Sequence, residues 1–285
     1  MAERAKAFAL LLCLSLFWGL AFVGIKEGLL YFSPVVLTFL RFLVASAVFA
    51  AYLMTRGKSL PLGMMPAAAV LGLLGFTVYH LSLNFGETET SAGAASIVVA
   101  TGPIFILIFS ATLLGERMTL RRFVGIASAF LGLALIIAPE IQAGADPLYV
   151  LAILPAPLST ALYSVLGKRY LKTHEPAVLT AYAQLFGLLF VSPLLLSQPM
   201  KGVLEAPAEG WGAVLFLGVC STVVGYTLWY RLLKEHEASI AGGYLYLTSL
   251  VAILAGRAIL GEPFTLHLVA GGSLVIAGVT VINRS

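Results

Sequence analysis

Apolar residues along this chain come in long blocks, and polar residues gather in the short gaps between them. A helix needs about 20 predominantly apolar residues to cross the hydrocarbon layer of a bilayer. Ten such blocks are present, at 7–27, 34–54, 66–86, 91–114, 120–138, 148–168, 176–196, 211–232, 238–260 and 266–282; we number them spans 1 to 10. The gaps hold helix-ending punctuation: Ser33-Pro34, Arg56-Gly57-Lys58, Glu87 to Glu89, Pro139-Glu140, Asp146-Pro147, Glu175-Pro176 and Pro199 to Gly210. Arg4 and Lys6 precede an apolar run that is long enough to span and offers no small-x-small cleavage site between Cys13 and Phe22, so it reads as span 1 and not as a signal peptide. The pattern predicts an all-α membrane protein of ten transmembrane helices, with no room between spans for a soluble domain.

Composition sharpens this reading. Of the 285 residues, 60% are hydrophobic and 11% charged, and the mean hydropathy is +1.00. A soluble domain carries roughly 25% charged residues, so most of this exterior must face lipid. The 28 Gly and 13 Pro fit close-packed membrane helices with tolerated kinks. The net charge of +4 comes from Lys and Arg scattered through connectors, with no basic stripe for nucleic acid. Cys13 and Cys220 lie inside apolar runs and read as free thiols that pack as small hydrophobes, without metal-ligand spacing. A nucleotide-binding loop, a Gly-x-Ser-x-Gly elbow and a zinc signature are all missing, so the sequence predicts neither an enzyme nor a cofactor.

Alternating ten spans from a cytoplasmic N-terminus puts 13 Lys and Arg on one side, from Arg4 and Lys6 to Arg284, and only Lys26, Lys201 and Arg257 on the other. That asymmetry predicts cytoplasmic termini. An internal repeat is also visible. Leu114-Gly115-Glu116 with Thr119-Leu120 returns as Leu260-Gly261-Glu262 with Thr265-Leu266, and Gly125 and Gly132 keep step with Gly271 and Gly278. Pro34 to Thr38 resembles Pro176 to Thr180, with Lys26 and Lys168 eight residues upstream of each proline. Two halves emerge, 1–139 and 140–285, each with five spans. Five is odd, so the second half is inverted relative to the first, a device of secondary transporters.

These residues resemble the drug/metabolite transporter superfamily, specifically its ten-helix EamA-type exporters. The resemblance rests on Phe17-Trp18-Gly19, on Pro34 with Arg41-Phe42, on Pro103 followed by Leu113 to Arg117, and on Ile259 to Glu262. It implies a central cavity lined by spans 1, 3, 4, 6, 8 and 9, and export of amino acids or related metabolites. One departure stands out: span 9 has Ser249 where span 4 has Pro103 and where the family usually repeats the proline. A kink is therefore expected in span 4 and not clearly in span 9.

Polar side chains inside spans are costly and turn toward protein or a watery cavity. Span 3 carries Thr77, His80 and Asn84 on one helical face, with Tyr79 beside it. Span 6 offers Ser159 and Tyr163 below Pro155 and Pro157; span 8 offers Thr222, Tyr226 and Trp229; span 9 has Ser239, Gly242, Tyr246 and Ser249 in register. Trp18 sits mid-span, where interfacial aromatic belts do not occur, and reads as cavity wall. For Tyr163, Tyr226, Tyr230, Tyr244 and Tyr246, packing and cavity wall are both open. His80 is read as a buried imidazole bonded to a carbonyl, as a substrate contact or as a proton relay, and no carboxylate is expected well inside a span. Arg41 is expected to snorkel outward or donate to neighbouring carbonyls, or otherwise to bind an anionic substrate. Glu116 and Glu262 are expected to cap or tie connectors, on opposite membrane faces. Spans 5 and 10, nearly pure aliphatic and Gly, are expected to be lipid-facing supports.

Aromatic and hydroxyl walls with few charges suit small neutral or zwitterionic solutes and suit phosphorylated ones poorly. The sequence thus predicts an alternating-access exporter of amino acids or similar metabolites, as facilitator or weakly proton-coupled. A multidrug exporter of lipophilic cations is the alternative. Membrane lipid is the other expected partner, and monomer and homodimer are both compatible with the pattern.

Overall fold

The structure is a computed structural model that describes residues 2–114, 147–199, 202–235, 245–263 and 265–283, together with parts of 120–136 and residue 241. The described residues are helical with short connectors, and the ten-span, two-repeat architecture holds. Span 1 lies in Ala2–Leu29, span 2 in Pro34–Arg56, span 3 in Leu62–Glu87 and span 4 in Ala92–Leu113. Spans 6, 7 and 8 are Pro147–Tyr170, Pro176–Ser197 and Ala208–Glu235; spans 9 and 10 are seen as Leu245–Leu260 and Leu266–Asn283. Span 5 is described only in part.

Local chemistry sets the span ends. Ser33 caps span 2 by accepting the Val36 N–H, and Pro34 occupies the first turn, where its missing N–H costs nothing. Gly57, at φ 59°, closes the other end, a left-handed conformation that only glycine adopts without strain. The two halves repeat one detail: Thr38 donates to the Pro34 carbonyl at 2.7 Å, and Thr180 to the Pro176 carbonyl at 2.8 Å.

Two spans depart from a regular α-helix in the same place of each half. Leu73–Val78 in span 3 and Phe216–Val224 in span 8 are π-helical. Such stretches rotate the angular register of the helix beyond them and cluster at functional sites. Span 4 is interrupted between Val99 and Gly102, just before Pro103, as expected from a proline that cannot complete the ladder. Span 9 runs unbroken through Ser249, and the Ser249 hydroxyl donates to the Ser96 carbonyl of span 4 at 3.0 Å.

The halves interleave. Span 1 packs on span 9, spans 2 and 3 on span 7, and span 4 on span 6. Backbones approach closely at small residues: a Cβ on Gly19 would lie 2.5 Å from Val251 Cβ and 2.8 Å from the Thr248 carbonyl. Spans 5 and 10 meet where Gly132 and Gly271 face each other's backbone, and they present Leu131, Leu135, Leu274 and Ile276 outward, as lipid-facing supports should.

Connector contacts sort by side. Lys58 pairs with Glu175 at 2.6 Å, and Arg169 donates to the Leu113 carbonyl at 3.0 Å. At the other end Lys26 donates to the Glu87 carbonyl, Ser33 to Gln198, and the Glu262 carboxylate accepts from Ala92. Each contact joins connectors that strict alternation of ten spans assigns to the same face. Lys58 lies near Glu175, so the gap after span 2 and the gap after span 6 share a face, as an inverted pair of five-span halves requires. Glu262 does cap a helix across the two halves; Glu116 lies outside the described residues.

Candidate substrate cleft

A narrow cleft lies where the two halves meet, with a cavity volume of about 50 Å³. Its walls come from spans 1, 3, 4, 6, 8 and 9, and in addition from span 2 through Arg41. Trp18 is fixed from both sides. Its indole N–H donates to the Ser221 carbonyl in the π-helical stretch at 3.0 Å, and its ring meets Tyr226 at 5.4 Å and Trp229 at 5.7 Å between centroids. Trp229 in turn donates to Ser164 Oγ at 3.2 Å.

Tyr226 and His80 join the third spans of the two halves. The Tyr226 hydroxyl donates to the Gly75 carbonyl at 2.9 Å and lies 3.1 Å from His80 Nε2. A hydroxyl has one proton. With that proton on the Gly75 carbonyl, His80 Nε2 is the donor to Tyr226 and Nδ1 is a bare acceptor; Nδ1 is buried without a partner. The expected carbonyl partner for His80 is thus a tyrosine hydroxyl instead. Tyr79 packs edge-on against the imidazole at 4.8 Å and completes this wall.

Arg41 corrects the sequence expectation. Its side chain does not snorkel: the residue is 1% exposed, and its partners are hydroxyls, not carbonyls. Nε donates to Thr222 Oγ at 2.9 Å and Nη2 to Ser221 Oγ at 2.8 Å, while Nη1 has no partner. No Asp or Glu is among the described residues that line the cleft.

The residues singled out from sequence therefore divide. Trp18, Tyr79, His80, Tyr226 and Trp229 line the cleft. Thr222 stands behind it as a support for Arg41 and donates to the Leu217 carbonyl. Thr77 donates to the Gly187 carbonyl at 3.4 Å, and Asn84 donates to Thr38 at 2.8 Å, so these two serve helix packing. The π-helical turn at Leu73–Val78 contains Thr77 and breaks the spacing that put it on one face with His80; Asn84 follows His80 by one turn of regular α-helix and is engaged by span 2. Ser159 donates to its own helix at Ala156. Tyr163 is fully buried, stacked on Tyr230 at 4.7 Å and 8°. Tyr246 lines a different cleft, between spans 4, 9 and 10, while Ser239, Gly242 and Tyr244 lie outside the described residues. Sequence reasoning missed Ser96, Thr160, Ser164, Ser221 and Thr248, small hydroxyl residues with no local signal.

It also placed Glu87 in a connector. The structure makes Glu87 the last residue of span 3, wholly buried, with both carboxylate oxygens unpartnered beside a cleft shared with Lys26 and Glu262.

This architecture has a match among known proteins. The model of the EamA-like transporter family fits the chain twice, over residues 5–138 and 147–284. The chain belongs to that family. Proteins similar to it include an uncharacterized transporter of Archaeoglobus fulgidus, 37% identical over 94% of this chain and 95% of its own length. A probable terminal-alkyne amino-acid exporter of Streptantibioticus cattleyicolor is 32% identical over 99% of this chain and 95% of its own. An uncharacterized inner membrane transporter of Escherichia coli is 27% identical over 96% of this chain and 90% of its own. A solved crystal structure superposes with a TM-score of 0.71 at 22% identity, covering 98% of this chain and 96% of that one, which shows the shared fold. This EamA-like protein is a multi-pass membrane transporter that moves a small molecule.

Proposed function

We propose that this EamA-like transporter exports amino acids or related small amphipathic metabolites across the cytoplasmic membrane by alternating access. Both termini are cytoplasmic, and the halves 1–139 and 140–285 exchange conformations. The observation that carries the reading is the cleft itself. It lies where the inverted halves meet and combines the aromatic faces of Trp18, Tyr226 and Trp229 with hydroxyls and one cation. Aromatic faces take an apolar side chain, and hydroxyls take polar ends without demanding full charge. The alternative cargo, lipophilic cations, fits less well, because the cleft wall holds a guanidinium and no carboxylate among the described residues. The exporter name carried by one relative points the same way.

Purified protein in liposomes preloaded with amino acids should accumulate labelled amino acid by counterflow. Liposomes that stay tight to every amino acid while exchanging cationic dyes would replace this reading with the multidrug one.

A further inference from the structure

Three polar atoms of the cleft wall are buried and lack a partner: Arg41 Nη1, His80 Nδ1 and Thr248 Oγ1. The first is a cationic donor. The second is an acceptor once His80 Nε2 donates to Tyr226, and the third is a hydroxyl able to accept. Buried polar groups in native proteins are almost always paired, and a charge inside the membrane is retained where it serves a function. Groups of both kinds, all lining one cleft, are what a bound solute would satisfy.

Arg41 is the most demanding of the three. Ser221 and Thr222 orient its guanidinium by holding Nε and Nη2, but hydroxyls bring no opposite charge. One N–H of Nη1 and the second N–H of Nη2 form the free end of the fork. That edge has the geometry a carboxylate accepts with both oxygens. The indole of Trp18 donates to the carbonyl of the same Ser221 whose hydroxyl holds Arg41, so the cation and the aromatic wall flank one residue.

We propose that Arg41 is the anion anchor of the cleft and binds the carboxylate of the transported solute, whose apolar side chain then lies against Trp18. An ammonium group, where the solute has one, falls to His80 Nδ1 and Thr248 Oγ1. This rests on the reading of the cleft as the transport site, and it makes a free carboxylate a requirement for binding.

The test uses the full chain and two readouts, quenching of intrinsic tryptophan fluorescence in detergent and competition against amino-acid counterflow in liposomes. The probes are phenylalanine, 3-phenylpropionate, phenylalaninamide and phenethylamine. The two carboxylates are expected to bind about ten- to a hundredfold more tightly than the amide and the amine, the worth of a hydrogen-bonded charge. Arg41→Gln is expected to abolish that preference, and Arg41→Lys to keep part of it. The wild-type series decides the matter even where a variant fails to fold. Equal binding of amide and acid overturns the anchor and leaves the export reading intact. Binding of carboxylates alone, without counterflow of any amino acid, upholds the anchor and removes the export reading. Binding of none of the four overturns both.

Discussion

Replacing Glu262 by alanine removes a tie between the two halves at one membrane face. Its carboxylate accepts the N–H groups of Ala92 at 2.7 Å and Gly93 at 3.1 Å, and Ser91 Oγ accepts that of Ala94 at 3.1 Å. Three of the four open donors at the start of span 4 are thereby filled, two of them by a residue from the connector after span 9. The connector is itself fixed: Gly261 turns left-handed at φ 69°, the Glu262 N–H reaches back to Gly256 at 3.2 Å, and Arg257 donates to the Glu262 carbonyl. A buried hydrogen bond to a charged group contributes about 1.5–3 kcal/mol, and a negative charge at a helix start adds about 0.3–1 kcal/mol. Glu262 is only partly buried, so the low ends apply, and the loss on Glu262→Ala comes to about 2–3 kcal/mol. At about 2–4 °C per kcal/mol, the melting temperature should fall by roughly 5–10 °C. Glu262→Gln keeps one accepting oxygen but sets an NH2 against an N–H, so about half the loss is expected. Ser91→Ala should cost about 1 kcal/mol. Scanning fluorimetry in detergent reads all three. A Glu262→Ala protein melting within about one degree of wild type would refute the tie.

Helix packing and connector charge yield three further expectations. Gly19→Ala places a methyl group against Val251 and the Thr248 carbonyl, which cannot step aside, so about 1–3 kcal/mol of stability should be lost; Gly24→Ala meets side chains and no backbone, Leu217 at 3.3 Å and the Phe216 ring at 3.4 Å, and should lose less than Gly19→Ala. Trp18→Ala should lower counterflow while the protein stays folded, whereas Tyr163→Ala, emptying a fully buried site, should cost about 3–5 kcal/mol and show first as loss of folded protein on gel filtration. The hydrogen bond from Lys58 to Glu175 raises the lysine pKa, so the contribution of the pair is present below the unfolded-state value and disappears as pH rises through the higher folded one. Both side chains are exposed, so Lys58→Ala and wild type should have nearly the same melting temperature at neutral pH, and the remaining difference should begin to close as pH rises past about 10.4.

The spans were legible because their ends carry strong local chemistry. The expected 34–54 and 176–196 are observed as Pro34–Arg56 and Pro176–Ser197, each opened by a proline whose position admits only a helix start. The break before Pro103 and its absence at Ser249 were legible for the same reason. Side-chain direction was less so. Periodicity assumes one pitch, and the π-helical turns in spans 3 and 8 change it midway, which is why Thr77 parts from His80. Depth was the other blind spot. Arg41 stands seven residues after Pro34 at the start of its span, and nothing local reveals that Ser221 and Thr222, from the other half, would hold it inside.

That last pairing has a consequence for how the protein is made. The hydroxyls that receive the Arg41 guanidinium lie 180 and 181 residues downstream. At about 5–20 residues per second of synthesis, the first half waits roughly 10–40 s before they exist. During that interval a cation must stay at the water boundary or be sheltered by the insertion machinery. Span 2 can settle to its final depth only when span 8 arrives, so the nascent first half is an unfinished object whose last adjustment is made late in translation.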